Sequence, residues 1–509
     1  MNLTSRKNCI TWDIALFFAL YVVMPNYFAL ELSGSLPLLT VNRALLLLVG
    51  LMLVIRHRSK LLNIRSFRLK DLKVLLLRDP MLRVGLLIYL GLMLTANLAF
   101  LLQIPSATIR AMFTLIVEQY VLVWVLTVVI DTREKLLQCL KVLVCSAGVV
   151  GVISIISVII DYNLFHHLNV VSRQMMMSTY YRRGVLRASA GFGHPVYYGA
   201  FCAVILPLNM YLVEESEKLW QNLLYGGCMV ANLSGLCLSN SRGSLLAFGC
   251  MMVVIIPIKL IMRFRLKDLV RYVAVFAVAL ALLYGVSSTT PAGTGYLKDI
   301  ANSVLTEIFP MPEDTTSVEK PGTQNPDDSV QTPENPDASA DATAPTDADP
   351  EVPDTPQEKP KPDFGSNKNG VWSRTVQLSG IRWTLQRSPL FGFGFEAQKR
   401  GAVQYEFRPG VWWSTGTFDI AVVSIIGQHG LVGLLAYLCL AGSILITMLR
   451  KKVWKDRLMM TFFFCFATLF LCLLSISSLE KTMWVLIGLF VCLINILPNK
   501  EKEIQAQPA

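Results

Sequence analysis

The feature that most constrains this chain is a rhythm of long apolar runs. From Trp12 onward, stretches of about twenty residues with very little charge recur, broken by short loops rich in Lys and Arg. A helix crossing the hydrocarbon of a bilayer needs about 20 consecutive apolar residues, with every backbone polar group satisfied inside the segment. About twelve runs meet that measure, near 12–30, 36–55, 82–101, 111–130, 137–160, 195–213, 219–238, 244–262, 271–288, 427–449, 458–477 and 483–498. Composition agrees: 53% of the 509 residues are hydrophobic and 16% are charged, where a soluble domain carries about 25% charge. The expected fold is an all-α integral membrane protein with about twelve transmembrane helices.

Charge placement predicts the orientation. The loops RHRSKLLNIRSFRLKDLK from Arg56, Arg263 to Arg271, and RKKVWKDR from Arg450 all fall on one side when twelve spans are threaded. The excess of Lys and Arg in short loops marks the cytoplasmic face. Both termini are then cytoplasmic. The net charge of +11 conceals 14 acids and 3 lysines between Glu313 and Asp363. Because the basic residues cluster between apolar runs, topology explains them better than nucleic-acid binding, and no nucleic-acid partner is expected. The 11 cysteines lie almost wholly within apolar runs, without the spacing of a zinc site or a disulfide framework. The first apolar run reads as a retained helix rather than a cleaved signal peptide, since it lacks a small-residue cleavage site.

The expected organisation follows. Residues 1–288 carry spans one to nine, 289–415 form one large extracytoplasmic loop, 416–498 carry the last three spans, and 499–509 are a cytoplasmic tail. Within the loop, 310–364 are rich in Pro, Asp, Thr and Ala and are expected to be a disordered insertion. Residues 371–415 hold four tryptophans and several arginines, and are expected to fold against the outer ends of the spans.

Three places on the expected outer side carry candidate chemistry. Arg242 sits in SNSRGS, a turn of a few residues between two apolar runs. A charge at the membrane edge needs a partner. Ser241 and Gly243 open the next helix, where free backbone N–H groups favour an anion. The competing reading is an arginine snorkelling to the interface and capping a neighbouring helix. Arg187 precedes the run that starts at His194-Pro195, with Arg182 and Arg183 nearby. His194 is better read as a helix-entry residue bonded to backbone than as a catalyst. Asp419 enters an apolar run that continues to Gly430-Leu-Val-Gly433. It suits a general base or a helix N-cap equally.

These features together resemble the O-antigen ligase/polymerase superfamily, the Wzy- and WaaL-type membrane proteins. Ser239–Gly243 matches the family's Ser-Arg-Gly turn, and Arg187 with Gly-Phe-Gly-His-Pro its arginine and span entry. Arg374, Trp383 and Pro389-Leu-Phe-Gly-Phe-Gly394 match its loop segment, and Gly430-Leu-Val-Gly433 the element after the loop. The resemblance covers roughly residues 180 to 450. It implies a glycosyltransferase that needs neither metal nor other cofactor and acts on the outer membrane face. Its donor is a glycan on undecaprenyl pyrophosphate, and its associated proteins are a flippase and a chain-length regulator. Arg187 and Arg242 would hold the pyrophosphate, Asp419 would act at the acceptor hydroxyl, and Ser241, Arg374, Arg382 and His194 would contact substrate. Ligases of the family carry a His-Asn pair shortly before the Gly-x-x-Gly element, where this chain has Asp419-Ile420. The resemblance is therefore nearer the polymerases. A ligase is the alternative, and a glycolipid flippase a more distant one.

Overall fold

The structure, a computed structural model, describes residues 10–31, 37–56, 79–170, 181–182, 185–263, 266–290, 298, 302 and 370–497. The insertion expected over 310–364, the tail over 499–509, Arg183 and most of the basic loop after Arg56 lie outside those residues.

A helix occupies each of the twelve apolar runs. In chain order they are α1 (Trp12–Val23), α2 (Val41–Arg56), α3 (Pro80–Leu98), α4 (Pro105–Val129), α5 (Arg133–Ile159), α6 (Pro195–Glu215), α7 (Leu219–Leu238), α8 (Arg242–Arg263) and α9 (Leu266–Thr289). After two short helices, α10 (Gly370–Gln377) and α11 (Ser379–Arg387), come α12 (Ala421–Arg450), α13 (Arg457–Leu473) and α14 (Glu480–Ile496). Six of these, α3, α4, α5, α6, α9 and α12, are long and apolar enough to cross a membrane. Sheet is confined to three two-stranded ladders among the described residues.

Local chemistry sets the ends. The α3 entry is capped by Asp79, whose carboxylate accepts from Met81 N–H at 3.0 Å and Leu82 N–H at 3.2 Å, with Pro80 at the first helical position. Helix α1 stops at Val23, short of the expected residue 30, because Pro25 forces the preceding Met24 into extended backbone.

Burial distinguishes centre from periphery. In the most apolar 18 residues of α6, 89% are buried, against 17% in α9. Helix α9 turns Val270, Val273, Val278 and Leu280 outward, the pattern of a helix whose outer face meets an apolar solvent. Small residues allow close helix approach: a side chain at Gly151 on α5 would come within 2.8 Å of the Ala231 backbone on α7.

The two ends of the bundle differ. At one end ion pairs tie helices together: Arg133 to Asp456 at 2.9 Å and Arg457 to Glu215 at 2.6 Å. Arg271 donates there to the carbonyls of Val213 and Ser216 at 3.0 and 3.3 Å. The opposite end gathers the turns after α1, α7 and α13 with the segment before α6. Ala188 N–H donates to Leu238 O at 3.0 Å, Gly191 packs on Pro25, and Tyr197 O–H pairs with Ser477 at 2.7 Å.

A second, smaller core lies in the chain between α10 and the start of α12. There the hairpin of two strands, Gln404–Arg408 and Val411–Ser414, packs Tyr405 and Phe407 with Val403, Phe418 and Val423. It is joined to the bundle by a break in α12. Gly430 has φ +61 and ψ −156, a region open essentially only to glycine. The segment 389–394 fills the gap: Phe393 and Gly394 N–H donate to the carbonyls of Gly427 and Gln428, both at 2.9 Å. In return Leu431 and Val432 N–H donate to those of Pro389 and Leu390 at 2.9 and 3.1 Å. The two glycine motifs thus interlock, each satisfying backbone groups the other leaves open.

Candidate functional site

The site is built around the entry to α6. His194 is the N-cap of α6, with Nδ1 accepting from Val196 N–H at 3.2 Å and Pro195 beginning the helix. Burial and the nearby Arg187 guanidinium push the His194 imidazole down to about 4, so it is neutral near pH 7.

Arg187 reaches across to the turn between α7 and α8. Its Nε donates to Ser239 O at 2.9 Å and its Nη2 to Asn240 O at 3.3 Å. The guanidinium therefore caps the carbonyl end of α7, where the helix dipole is negative. Asn240 takes φ +47, a turn conformation that asparagine tolerates better than most residues. Two residues on, half-buried Arg242 is the first residue of α8. Ser241 is 3% exposed and shares a 2.9 Å hydrogen bond with Ser244. Gly199 of α6 leaves room for Ser239 and Ser241, and Gly243 for Ser475 after α13. The two arginines, 55 positions apart in sequence, are thus assembled on one turn.

Asp419 is exposed, just before Ile420, the N-cap of α12; no side-chain hydrogen bond caps that helix. The Asp419 backbone N–H donates to Gln377 Oε1 at 2.8 Å, and Gln377 Nε2 reaches the carboxylate at 3.4 Å. Its charge acts on Tyr405 and on Tyr197, in the first turn of α6. Asp419 thus stands near the α6 entry without the capping bond that the sequence allowed. Arg374 is half-buried on α10 and Arg382 exposed on α11, both in the smaller unit. Beside Arg382, Arg387 covers the Trp383 ring at 3.3 Å.

Next to this assembly lies a cavity of about 750 Å³. None of the seven residues singled out from sequence lines it, although their neighbours Gly191, Phe192 and Tyr197 do. Its charges are ones the sequence reading passed over: Arg43, Arg110, Glu118, Glu396, Lys399, Glu480 and Lys481. Arg43 Nε pairs with Glu118, and Arg43 also donates to Leu38 O. Glu396 pairs with Arg110 at 2.5 Å and Lys399 at 3.0 Å. Burial alone would raise the Glu396 carboxyl, but Lys399 and Arg110 hold it below its ordinary value. Glu118 lies in a π-helical turn, Thr114–Val121, a rare geometry that often marks functional sites. The available signal was a lone Arg and a lone Glu inside apolar runs. What sequence cannot show is that α2 and α4 set them together.

No family model matches this chain, and no curated protein matches it.

Proposed function

We propose that the chain crosses the bacterial inner membrane twelve times, with both termini cytoplasmic, and that it is a Wzy-like polymerase. It would join undecaprenyl-pyrophosphate-linked oligosaccharide units into a surface polysaccharide at the outer face. The observation that carries this reading is the meeting of Arg187 with the Ser239–Arg242 turn at an end of the bundle that also holds Asp419 and a cavity. Two guanidiniums and the N-terminus of α8 make that turn strongly electropositive, which suits a phosphate ester.

In the proposed step an acceptor hydroxyl oxygen bonds to the anomeric carbon. The bond from that carbon to the pyrophosphate oxygen breaks, and its electron pair leaves with the phosphate. The hydroxyl proton passes to the Asp419 carboxylate. The departing pyrophosphate gains negative charge, so fixed guanidiniums favour the transition state over the ground state. Gln377 orients the carboxylate through its amide.

The test is polymer formation from lipid-linked repeat units by purified protein, with donor binding measured separately. Arg242→Ala should lose at least about 100-fold in rate, the loss expected for removing one transition-state donor. Arg242→Lys should stay impaired, because it lacks the planar fork. Asp419→Asn should bind donor normally and turn over slowly. Near-normal polymer from Arg242→Ala would remove the clamp.

A second reading, a glycolipid flippase, is favoured by one feature: charged side chains line a cavity within a bundle that also contains a helix broken at Gly430. Translocation of labelled lipid by purified protein, with no polymer formed, would select it.

A further inference from the structure

The cavity beside the α6 entry differs in chemistry from the arginine turn. Four cations and three glutamates line it, so its signs nearly cancel. The cations are also largely engaged: Arg43 with Glu118, and both Arg110 and Lys399 with Glu396. A pyrophosphate entering here would meet three carboxylates and would have to break existing pairs. A neutral ligand rich in hydroxyls meets no such opposition. Each hydroxyl both donates and accepts, and a wall that alternates ammonium, guanidinium and carboxylate groups offers strong partners for both.

The remaining lining points the same way. Tyr21, Phe192, Tyr197 and Phe395 present aromatic rings among these charges. Lys481 Nζ sits 5.8 Å from the Tyr21 ring centre. Sugar rings have one polar edge and apolar C–H faces, so they need rings and charged groups side by side. The deeper wall, with Phe201, Ile205, Val485 and Leu486, is apolar. The volume of about 750 Å³ falls within the 300–1,000 Å³ typical of small-molecule sites. It suits a short oligosaccharide and not a polymer.

We propose that this cavity, where Arg43–Glu118, Arg110–Glu396–Lys399 and Glu480-Lys481 surround Tyr21 and Tyr197, is a saccharide site for the hydroxyl-bearing acceptor end of the glycan. The assignment rests on the glycosyl-transfer reading, and it separates the two substrates: phosphate at the arginine turn, acceptor sugar in the cavity. Tyr197, which lines the cavity and feels the Asp419 charge, links the cavity to the proposed base.

The test is a binding measurement, independent of turnover. The full chain in lipid nanodiscs is titrated with the oligosaccharide released by mild acid from the host cell's lipid-linked repeat units, and binding is followed by saturation-transfer NMR and calorimetry. Glu480→Gln and Tyr21→Leu should each weaken binding about tenfold. Thr114→Phe, which fills the cavity without removing a charge, should also weaken it and guards against misfolding of a charge variant. Arg242→Ala should leave oligosaccharide affinity unchanged while losing affinity for inorganic pyrophosphate. Unchanged oligosaccharide affinity in folded cavity variants would overturn the assignment, as would competition by pyrophosphate for the same site. Failure of the polymerase reading is a different result: polymer made normally by Arg242→Ala, with oligosaccharide binding still sensitive to Tyr21 and Glu480.

Discussion

At the residue scale, the arginine turn rests on side chains doing local structural work. Arg187 holds two carbonyls at the end of α7, so any role toward an anion is layered on a capping role. His194 gives a sharper expectation. Its Nδ1 accepts from Val196 N–H, which requires the neutral ring. An unfolded histidine titrates near 6.5, whereas this one sits near 4. Its contribution to stability is therefore complete above pH 6.5 and is lost as the pH falls through 4. Thermal unfolding in detergent between pH 7 and pH 4 should show a smaller acid destabilisation in His194→Asn, since asparagine also caps but does not titrate. An identical slope in both proteins would assign the acid sensitivity elsewhere.

At the element scale, the break in α12 and the pairing of α2 with α4 are the features most open to measurement. Gly430 has a backbone conformation costing a residue with a side chain about 1–3 kcal/mol, and a Cβ there would run into the Leu390 carbonyl. Gly430→Ala should therefore lose about 3 kcal/mol or more and lower the yield of folded protein. Gly442→Ala, farther along α12 with nothing within 4 Å of the added carbon, should be neutral to slightly stabilising. Equal effects at the two positions would mean that the 389–394 segment does not lock the break. For Arg43 and Glu118, side-chain exposures of 15% and 27% leave each charge only partly hydrated. Arg43→Met or Glu118→Leu alone should cost about 2 kcal/mol through the charge left behind. The double variant should cost less than the sum, as a double-mutant cycle on thermal stability would report.

At the scale of the whole molecule, the two ends of the bundle make topology testable. Ser189 and Ser241 are each 3% exposed, so a thiol placed there would report burial rather than sidedness. Leu102 is 96% exposed at the turn after α3, and Trp454 is 49% exposed between α12 and α13. In a cysteine-depleted background, Leu102→Cys should react with an impermeant thiol reagent in intact cells whose outer layer, if present, has been permeabilised. Trp454→Cys should react only in inverted vesicles. The opposite pattern would turn the molecule over and place the arginine turn in the cytoplasm.

Apolar runs of about twenty residues, read directly from sequence, determined where the helices lie, because burying a continuous run of backbone requires internal hydrogen bonding and the helix supplies it. The His194-Pro195 pair also foretold the entry to α6, whereas Gly430 was legible only as part of a motif inside an apolar run, and the break it makes in α12 came from the structure. Partners across the chain were not legible. Arg187 meeting the Ser239–Asn240 carbonyls, Gln377 meeting Asp419, Arg43 meeting Glu118, and 389–394 filling the gap at Gly430 each join residues far apart in sequence. Helix periodicity places a side chain on a face but not opposite a particular neighbour. That choice belongs to tertiary packing: in α5 and α7 it depends on which small residues let two backbones approach, and at the arginine turn on which carbonyls remain open at a helix end.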